Sequence, residues 1–311
     1  MRAAVLHEHG AAPRCDEFPD PEPGPGEVVV DVAAAGLHHL DLLKASGTFY
    51  MGPPPLPSVV GTDGVGRLAG GRYVFFDVTV APYGSMAERC LVPEDALIDV
   101  PEPMDPAIAA ALGNTGMGAW MAVTWRSGLQ PGETVLVLGA TGAVGTIAVQ
   151  AAKLHGAGRV IAAALADDRL PRLRGADATI AIDEVQDLTE AIREAAGGGI
   201  DVTIDTLWGE PALAAIKAAN RFARHVEVGQ LAGLEIALPA PLIRSLSIDV
   251  RGFSIAHPPL ELRRQAFAQL CHHIGRGELQ IDVERVPLDD VHTAWERQRL
   301  AAGGPKLVLL P

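Results

Sequence analysis

Val137-Leu138-Gly139-Ala140-Thr141-Gly142-Ala143-Val144-Gly145 decides the fold. The apolar run Thr134-Val135-Leu136-Val137-Leu138 reads as a buried strand, and the Ala-rich stretch after the glycines reads as a helix. Arg159-Val160-Ile161-Ala162-Ala163-Ala164 completes a βαβ unit. Backbone N–H groups at a helix N-terminus can meet an anion only where no side chain intervenes, and the helix dipole favours the negative charge. Gly139, Ala140, Thr141, Gly142, Ala143, Val144 and Gly145 are therefore the candidate cradle for the pyrophosphate of a dinucleotide. Gly145 would let the helix pack closely on the strand. Glycines also mark ordinary turns, and that reading stands beside the functional one.

Outward from this turn the pattern repeats. Residues 134–138, 159–163, 201–205 and 224–228 read as buried strands, and segments around 143–155, 168–174, 186–196 and 210–220 as helices. This is the signature of an α/β, doubly wound parallel sheet. The first hundred or so residues differ, with many prolines and glycines among short β-rich runs such as 27–32 and 72–76. Pro106 to Val123 is Ala-rich and helical in tendency. After residues 246–252 come an amphipathic segment, Leu260 to Arg276, and a strand-like close, Lys306-Leu307-Val308-Leu309-Leu310, expected to return to the first domain. The predicted division is 1–108 with 251–311 as one domain and 109–250 as the other.

With 311 residues, 48% of them hydrophobic, the chain can bury two ordinary cores. A formal net charge of -13 leaves no basic surplus to neutralise phosphates, which argues against a nucleic-acid partner. Cys15, Cys90 and Cys271 are far apart and odd in number, so neither a disulfide framework nor a CxxC metal clip is predicted. No apolar run is long enough for a membrane span, and the stretch before His7 is too short for a signal peptide. A cytoplasmic protein without a membrane partner is expected.

Cofactor choice turns on the end of the second strand, where an acidic side chain would bind the ribose 2′-hydroxyl of NAD. That position is Ala164, which leaves room for a 2′-phosphate, and Arg169 lies close enough in sequence to reach one. Asp167 and Asp168 oppose this by charge. NADPH is expected, with NADH as the alternative.

Further motifs extend the pattern along the chain: Met1-Arg2-Ala3-Ala4-Val5, Pro23-Gly24-Pro25-Gly26-Glu27-Val28 and Ala35-Gly36-Leu37-His38-His39-Leu40-Asp41. They continue as Leu56-Pro57-Ser58-Val59-Val60-Gly61-Thr62-Asp63-Gly64-Val65-Gly66, Tyr83-Gly84-Ser85-Met86-Ala87-Glu88 and Gly118-Ala119-Trp120. In order and spacing the chain resembles the medium-chain dehydrogenase/reductases, and within them the zinc-independent quinone oxidoreductases related to ζ-crystallin. The resemblance implies a Rossmann domain inserted in a GroES-like, mostly β catalytic domain, and commonly a homodimer. The positions that hold zinc ligands in zinc-dependent relatives fall here on His38, Thr62 and Asn114, and Thr and Asn are poor ligands. No zinc is expected, although a substitute site from His38, Asp63 and His39 is conceivable.

The resemblance implies a small conjugated carbonyl or quinone as substrate, reduced by hydride from the nicotinamide. His38 is the first candidate for the proton donor, because imidazole changes protonation near neutral pH, and the resemblance puts this position in the cleft. A histidine held by hydrogen bonds at a domain edge is the competing reading. Asp41 and Tyr50 complete the catalytic candidates, the first as an orienting carboxylate and the second as a pocket-lining hydroxyl or packing group. Gly229, after a Rossmann strand, resembles the turn beside the nicotinamide. Lys306 either approaches the cofactor phosphates or faces solvent. Trp208 narrows the site or covers an apolar edge, and His272-His273 reads as surface. An enoyl-thioester or biosynthetic tailoring reductase, and a non-catalytic NADPH-binding sensor, remain as alternatives.

Overall fold

Strands from both ends of the chain share one sheet. The structure, a computed structural model, describes residues 1–49, 51–300 and 303–311. Its N-terminal part contains β1 (Arg2–Leu6), β2 (Arg14–Glu17), β3 (Glu27–Gly36), α1 (His39–Ala45), β4 (Ser58–Val59), β5 (Gly64–Arg67), β6 (Tyr73–Phe76), β7 (Arg89–Pro93), β8 (Ile98–Asp99) and α2 (Pro106–Ala111). Along β3, Val30 and Val32 are buried while Asp31 between them is exposed, the two-residue period of a strand with one covered face. Asp105 caps α2 by accepting from Ile108 N–H, and Pro106 opens the helix where its missing N–H costs nothing.

The predicted Ala-rich helix of 106–123 is broken rather than continuous. At Gly113 (φ -57°, ψ -118°) the chain leaves helical geometry, and a Cβ there would lie 2.1 Å from the Phe75 ring. Only glycine permits that approach.

The following unit carries α3 (Gly118–Met121), β9 (Thr134–Leu138), α4 (Ala143–Leu154), β10 (Arg159–Ala164), β11 (Ala178–Ala181), α5 (Leu188–Ala196), β12 (Ile200–Asp205), α6 (Gly209–Lys217), β13 (Ala219–Glu227), α7 (Ala240–Leu246) and β14 (Asp249–Gly252). Six parallel strands are ordered β11-β10-β9-β12-β13-β14. The order reverses at β9, so the glycine-rich turn sits at the switch point where such sheets bind ligands. Leu136, Leu138, Ile161, Ala163 and Ile200 form the core against one face of this sheet, and Val135, Val137, Val160 and Ala162, which alternate with them, are buried as well. In place of the helix predicted at 168–174 there is one 3-10 turn, Leu170–Arg172. Pro171 within it has no N–H to donate, which limits helix growth.

The tail supplies α8 (Leu260–Gly275), β15 (Val283–Pro287), α9 (Val291–Leu300) and β16 (Lys306–Leu310). β16 pairs with β3, giving the mixed sheet β15-β16-β3-β5-β6-β8, with β7 on the other half of β3. Leu307 and Leu309 pack in the same core as Val30, Val32 and Phe76. By contacts, one unit is Met1–Thr115 plus most of the chain from Pro259 onward, and the other is Gly116–Pro258 with Gly303 and Gly304. These limits fall later than 108/109 and 250/251, because Asn114 and Thr115 still bond within the first unit and β14 is the sixth strand of the parallel sheet. No helix among the described residues is long and apolar enough to cross a membrane.

Candidate active site

In the first unit, a buried polar network forms where β3 hands over to α1. His38 immediately precedes α1, and its Nε2 lies 2.7 Å from Asp63 Oδ1. Both side chains are buried, Asp63 completely. The other Asp63 oxygen accepts from Asn114 N–H at 2.8 Å, a bond made possible by the break at Gly113. Gly36 is equally constrained: a Cβ there would stand 2.7 Å from His38 Nε2 and 2.8 Å from Asp63 Oδ1. A side chain at that position would split the pair.

Lys306, the first residue of β16, closes the other side of the ring. Its Nζ donates to Leu37 O at 2.6 Å and lies 2.8 Å from His38 Nδ1. Thr115 Oγ1 is 3.3 Å from the same nitrogen. An ammonium can only donate, so Nδ1 accepts, and the single proton of a neutral imidazole stands on Nε2 facing Asp63. Burial would raise the Asp63 carboxyl, but the neighbouring His38 with its hydrogen bond, the Lys306 ammonium and the Asn114 N–H outweigh it and hold it below the usual carboxylate range. For Lys306, burial dominates over the attraction of Asp63 and Asp41 and brings its pKa down to about 8. The prediction that Lys306 reaches cofactor phosphates or solvent is corrected: the β3–β16 pairing turns the side chain under His38, leaving it 5% exposed.

Asp41 is buried and fully engaged. One oxygen accepts from the His38 backbone N–H at 2.8 Å and the other from Thr62 Oγ1 at 2.7 Å, while Lys44 Nζ donates to Thr62 Oγ1 at 3.0 Å. Its geometry is that of a group orienting the start of α1, not one aimed at a reactant. Tyr50 lies outside the described residues. Thr115 and Lys44 were not singled out in the sequence, since no local pattern marks residues that meet only through tertiary pairing.

In the second unit, Gly139 adopts φ +76°, and a Cβ on it would stand 2.1 Å from Thr206 Oγ1. At Gly145 a Cβ would lie 2.3 Å from Gly139 O, so helix and turn approach backbone to backbone. The N–H groups of Gly139 and Ala140 both donate to Ala163 O, at 2.8 and 3.1 Å. Those two amides are thus spent within the fold. Gly142 caps α4 without a side-chain bond, and the N–H groups of Ala143, Val144 and Gly145 in the first turn have no partner within the helix.

Arg169 reaches back over this turn, donating to Thr141 O at 3.2 Å and pairing with Asp167 at 2.5 Å. Asp167 therefore holds the guanidinium in place, while Asp168 is exposed. Burial would raise the Asp167 carboxyl, but the Leu170 and Arg169 N–H groups and the Arg169 guanidinium together hold it below its ordinary value. Ala164 is buried at the end of β10. Gly229 N–H donates to Asp205 O at 3.2 Å, and its missing side chain leaves room for Thr206 O.

A buried pair not foreseen from sequence stands beside it: His225 Nε2 is 2.8 Å from Asp205 Oδ2, and Asp205 Oδ1 accepts from Leu207 and Trp208 N–H. Trp208 packs edge-on against His225, which sets its orientation within the unit. His273 is paired with Glu278 at 2.7 Å, and His272 is exposed, in keeping with a surface role.

A parallel sheet with a glycine turn at its switch point, inserted between two stretches of a mixed-sheet unit, is the architecture of a medium-chain dehydrogenase/reductase. Residues 143–273 match the family model described as zinc-binding dehydrogenase. The chain is 32% identical over 243 residues to mouse (Mus musculus) quinone oxidoreductase-like protein 2, covering 74% of this chain and 68% of that protein. The rat (Rattus norvegicus) protein of the same name is 32% identical over 261 residues, covering 81% and 74%. The solved quinone oxidoreductase of Thermus thermophilus, described together with its NADPH complex, superposes with a TM-score of 0.85 at 30% identity over the whole of both chains. The chain belongs to the quinone oxidoreductase family of the medium-chain dehydrogenase/reductases.

Proposed function

We propose that this protein reduces a quinone or another conjugated carbonyl with NADPH and without zinc. The observation that carries this reading is the pairing of His38 with Lys306. A metal ligand must offer a lone pair, yet His38 Nδ1 faces a buried ammonium at 2.8 Å and Nε2 is shared with Asp63. Thr62 is committed to Asp41 and Lys44, and Asn114 meets the cluster through its backbone N–H. Among the described residues no three His, Cys, Asp or Glu side chains form a group able to hold a metal ion. These donors do not fit zinc, because a dication there would meet an ammonium instead of thiolates or free imidazoles.

Without a Lewis acid, oxidation of a simple alcohol loses the main electrostatic help for its developing alkoxide. A conjugated acceptor needs less, since charge arriving at one end delocalises to the oxygen. NADPH, when bound, supplies the hydride. The first-turn amides of α4 suit its pyrophosphate, and Arg169, held at Thr141 by Asp167, suits a 2′-phosphate where the uncharged Ala164 makes no competing claim. Gly229 leaves room beside Thr206 for the nicotinamide end. His38, oriented by Asp41 and Asp63, is the centre from which a proton reaches the reduced acceptor. The reading extends to a homodimer in the reducing cytoplasm, where the three free cysteines stay thiols.

The test is oxidation of NADPH and of NADH by purified protein with 1,4-benzoquinone, 9,10-phenanthrenequinone, a simple enone and a crotonyl thioester, each with and without chelator. Chelator-resistant, NADPH-preferring turnover of quinones supports the proposal. Preference for the thioester moves the assignment to an acyl reductase, and cofactor binding without turnover moves it to a sensor. Light scattering checks the dimer.

A further inference from the structure

We propose that Lys306 is a buried proton reservoir behind His38, delivering its proton through His38 Nδ1 and the Thr115 hydroxyl to the oxygen of the reduced acceptor. The inference rests on the reading of this corner as the reduction site. Its basis is geometric: one ring nitrogen, His38 Nδ1, is met by Lys306 Nζ at 2.8 Å and by Thr115 Oγ1 at 3.3 Å, while Asp63 holds the opposite nitrogen at 2.7 Å. Desolvating an ammonium is costly, and besides Leu37 O the acceptor given to this one is a ring nitrogen that can take its proton.

The step balances. Reduction leaves negative charge on the acceptor oxygen. Nδ1, which carries no proton at rest, first takes one from Nζ; the resulting Nδ1–H then gives its proton to the Thr115 oxygen as the Thr115 O–H bond breaks toward the acceptor oxygen. One O–H bond has formed on the product, one N–H bond has been lost at Lys306, and Lys306 is left as a neutral amine that solvent reprotonates after product leaves. Throughout, Nε2–H stays on Asp63, so the ring keeps its orientation.

The groups around Lys306 set how readily it gives up the proton. Asp63 and Asp41 oppose the loss by attraction. His38 faces it directly, Leu37 O and the Asp282 backbone carbonyl hold its two ends, and Thr62, Lys44, Asn114 and Thr115 complete the network. His39 is held below its ordinary value mainly by desolvation and then by the Lys306 ammonium. Burial is the largest influence on Lys306 and brings it to about 8, so the ammonium is populated at neutral pH yet not far from release.

Two arms test the proposal. The first needs no turnover: ¹⁵N and ¹³C NMR of the intact protein labelled in His and Lys, from pH 6 to 11. Expected is an Nε2–H tautomer for His38 at neutral pH and a Lys306 transition near 8. An Nδ1–H tautomer, or a Lys306 that titrates at the ordinary lysine value, overturns the proposal whatever the enzyme reduces.

The second arm uses Lys306→Arg, which keeps the charge but cannot surrender a proton, and the pair Thr115→Val and Thr115→Ser. Lys306→Arg and Thr115→Val should each lower kcat for a quinone by about 100-fold with KM little changed, and Thr115→Ser should restore it. Wild-type kcat should fall as pH rises through the Lys306 transition. A fully active Thr115→Val, or an active Lys306→Arg with the basic limb intact, overturns the relay. If Lys306→Arg does not fold, the Thr115 pair decides. If no acceptor is turned over by the wild type, the functional reading fails, and the relay fails with it only if the NMR arm does too.

Discussion

Lys306 Nζ lies 2.8 Å from His38 Nδ1 although 268 positions separate the two residues in the chain. β16 and β3 run antiparallel with Val308 opposite Gly36, so the first residue of the last strand comes to rest against the residues that leave β3. An ordinary strand pairing thereby puts a buried ammonium against the His38 imidazole.

That contact predicts indifference to chelators. Purified protein should contain sub-stoichiometric zinc by elemental analysis, and prolonged dialysis against 1,10-phenanthroline should leave both stability and turnover unchanged. Loss of activity restored by zinc would contradict the assignment of His38 to Lys306 and Asp63.

The same lysine ties stability to alkaline pH. Its pKa is depressed from 10.5 to about 8 in the folded protein, so between those values the unfolded chain binds a proton that the folded chain does not. Unfolding free energy therefore gains a rising contribution from about pH 8 to 10.5, and the cost of burying the ammonium is fully present below that window. Urea titrations across this range should show the rise in wild type and a flatter profile in Lys306→Met.

Asp63→Asn should be more damaging than its small change suggests. It removes the carboxylate on His38 Nε2 and leaves the Lys306 ammonium with one less compensating charge. Breaking a buried pair on one side costs about 3–5 kcal/mol, so the urea midpoint should fall accordingly. A loss under about 1 kcal/mol, within the range of an exposed ion pair, would mean that the pair is solvated.

Gly145→Ala tests the turn in the second unit. The added methyl would meet Gly139 O at 2.3 Å, forcing helix and turn apart at a cost of about 1–3 kcal/mol. Dinucleotide affinity, read by calorimetry, should fall about tenfold or more as the first-turn amides shift. Unchanged affinity would remove the α4 N-terminus from the cofactor site.

Arg169→Ala separates the two nicotinamide cofactors. Losing a charge-assisted contact should weaken NADPH by about tenfold while NADH is untouched. Asp167→Asn, which frees the guanidinium from its partner, should weaken NADPH less than Arg169→Ala does. Equal losses for both cofactors would place Arg169 away from the 2′-phosphate.

Much of the architecture was legible because it is written in local periodicity. Thr134–Leu138 and Arg159–Ala164 are apolar runs flanked by a glycine turn, and a buried parallel strand requires that composition regardless of what lies elsewhere. The return of Lys306–Leu310 to the first sheet was equally readable as a strand. Boundaries were less so: the expected division at 250/251 falls inside β14, whose pairing with β13 makes it part of the parallel sheet.

The sequence by itself determined the parallel Rossmann sheet and the glycines at its switch point, since each depends on residues adjacent in the chain. Only the tertiary structure decided what Lys306, Asp63, Thr115 and Arg169 do. Lys306 read as a phosphate ligand or a surface charge because a lysine's role is set by what surrounds its Nζ, and those surroundings come from Leu37, His38 and Asp63 on distant segments. Likewise Gly113 and Gly36 carry no visible instruction in sequence. Their lack of a side chain matters because, in the folded chain, Phe75 and the His38–Asp63 pair occupy the space that one would fill.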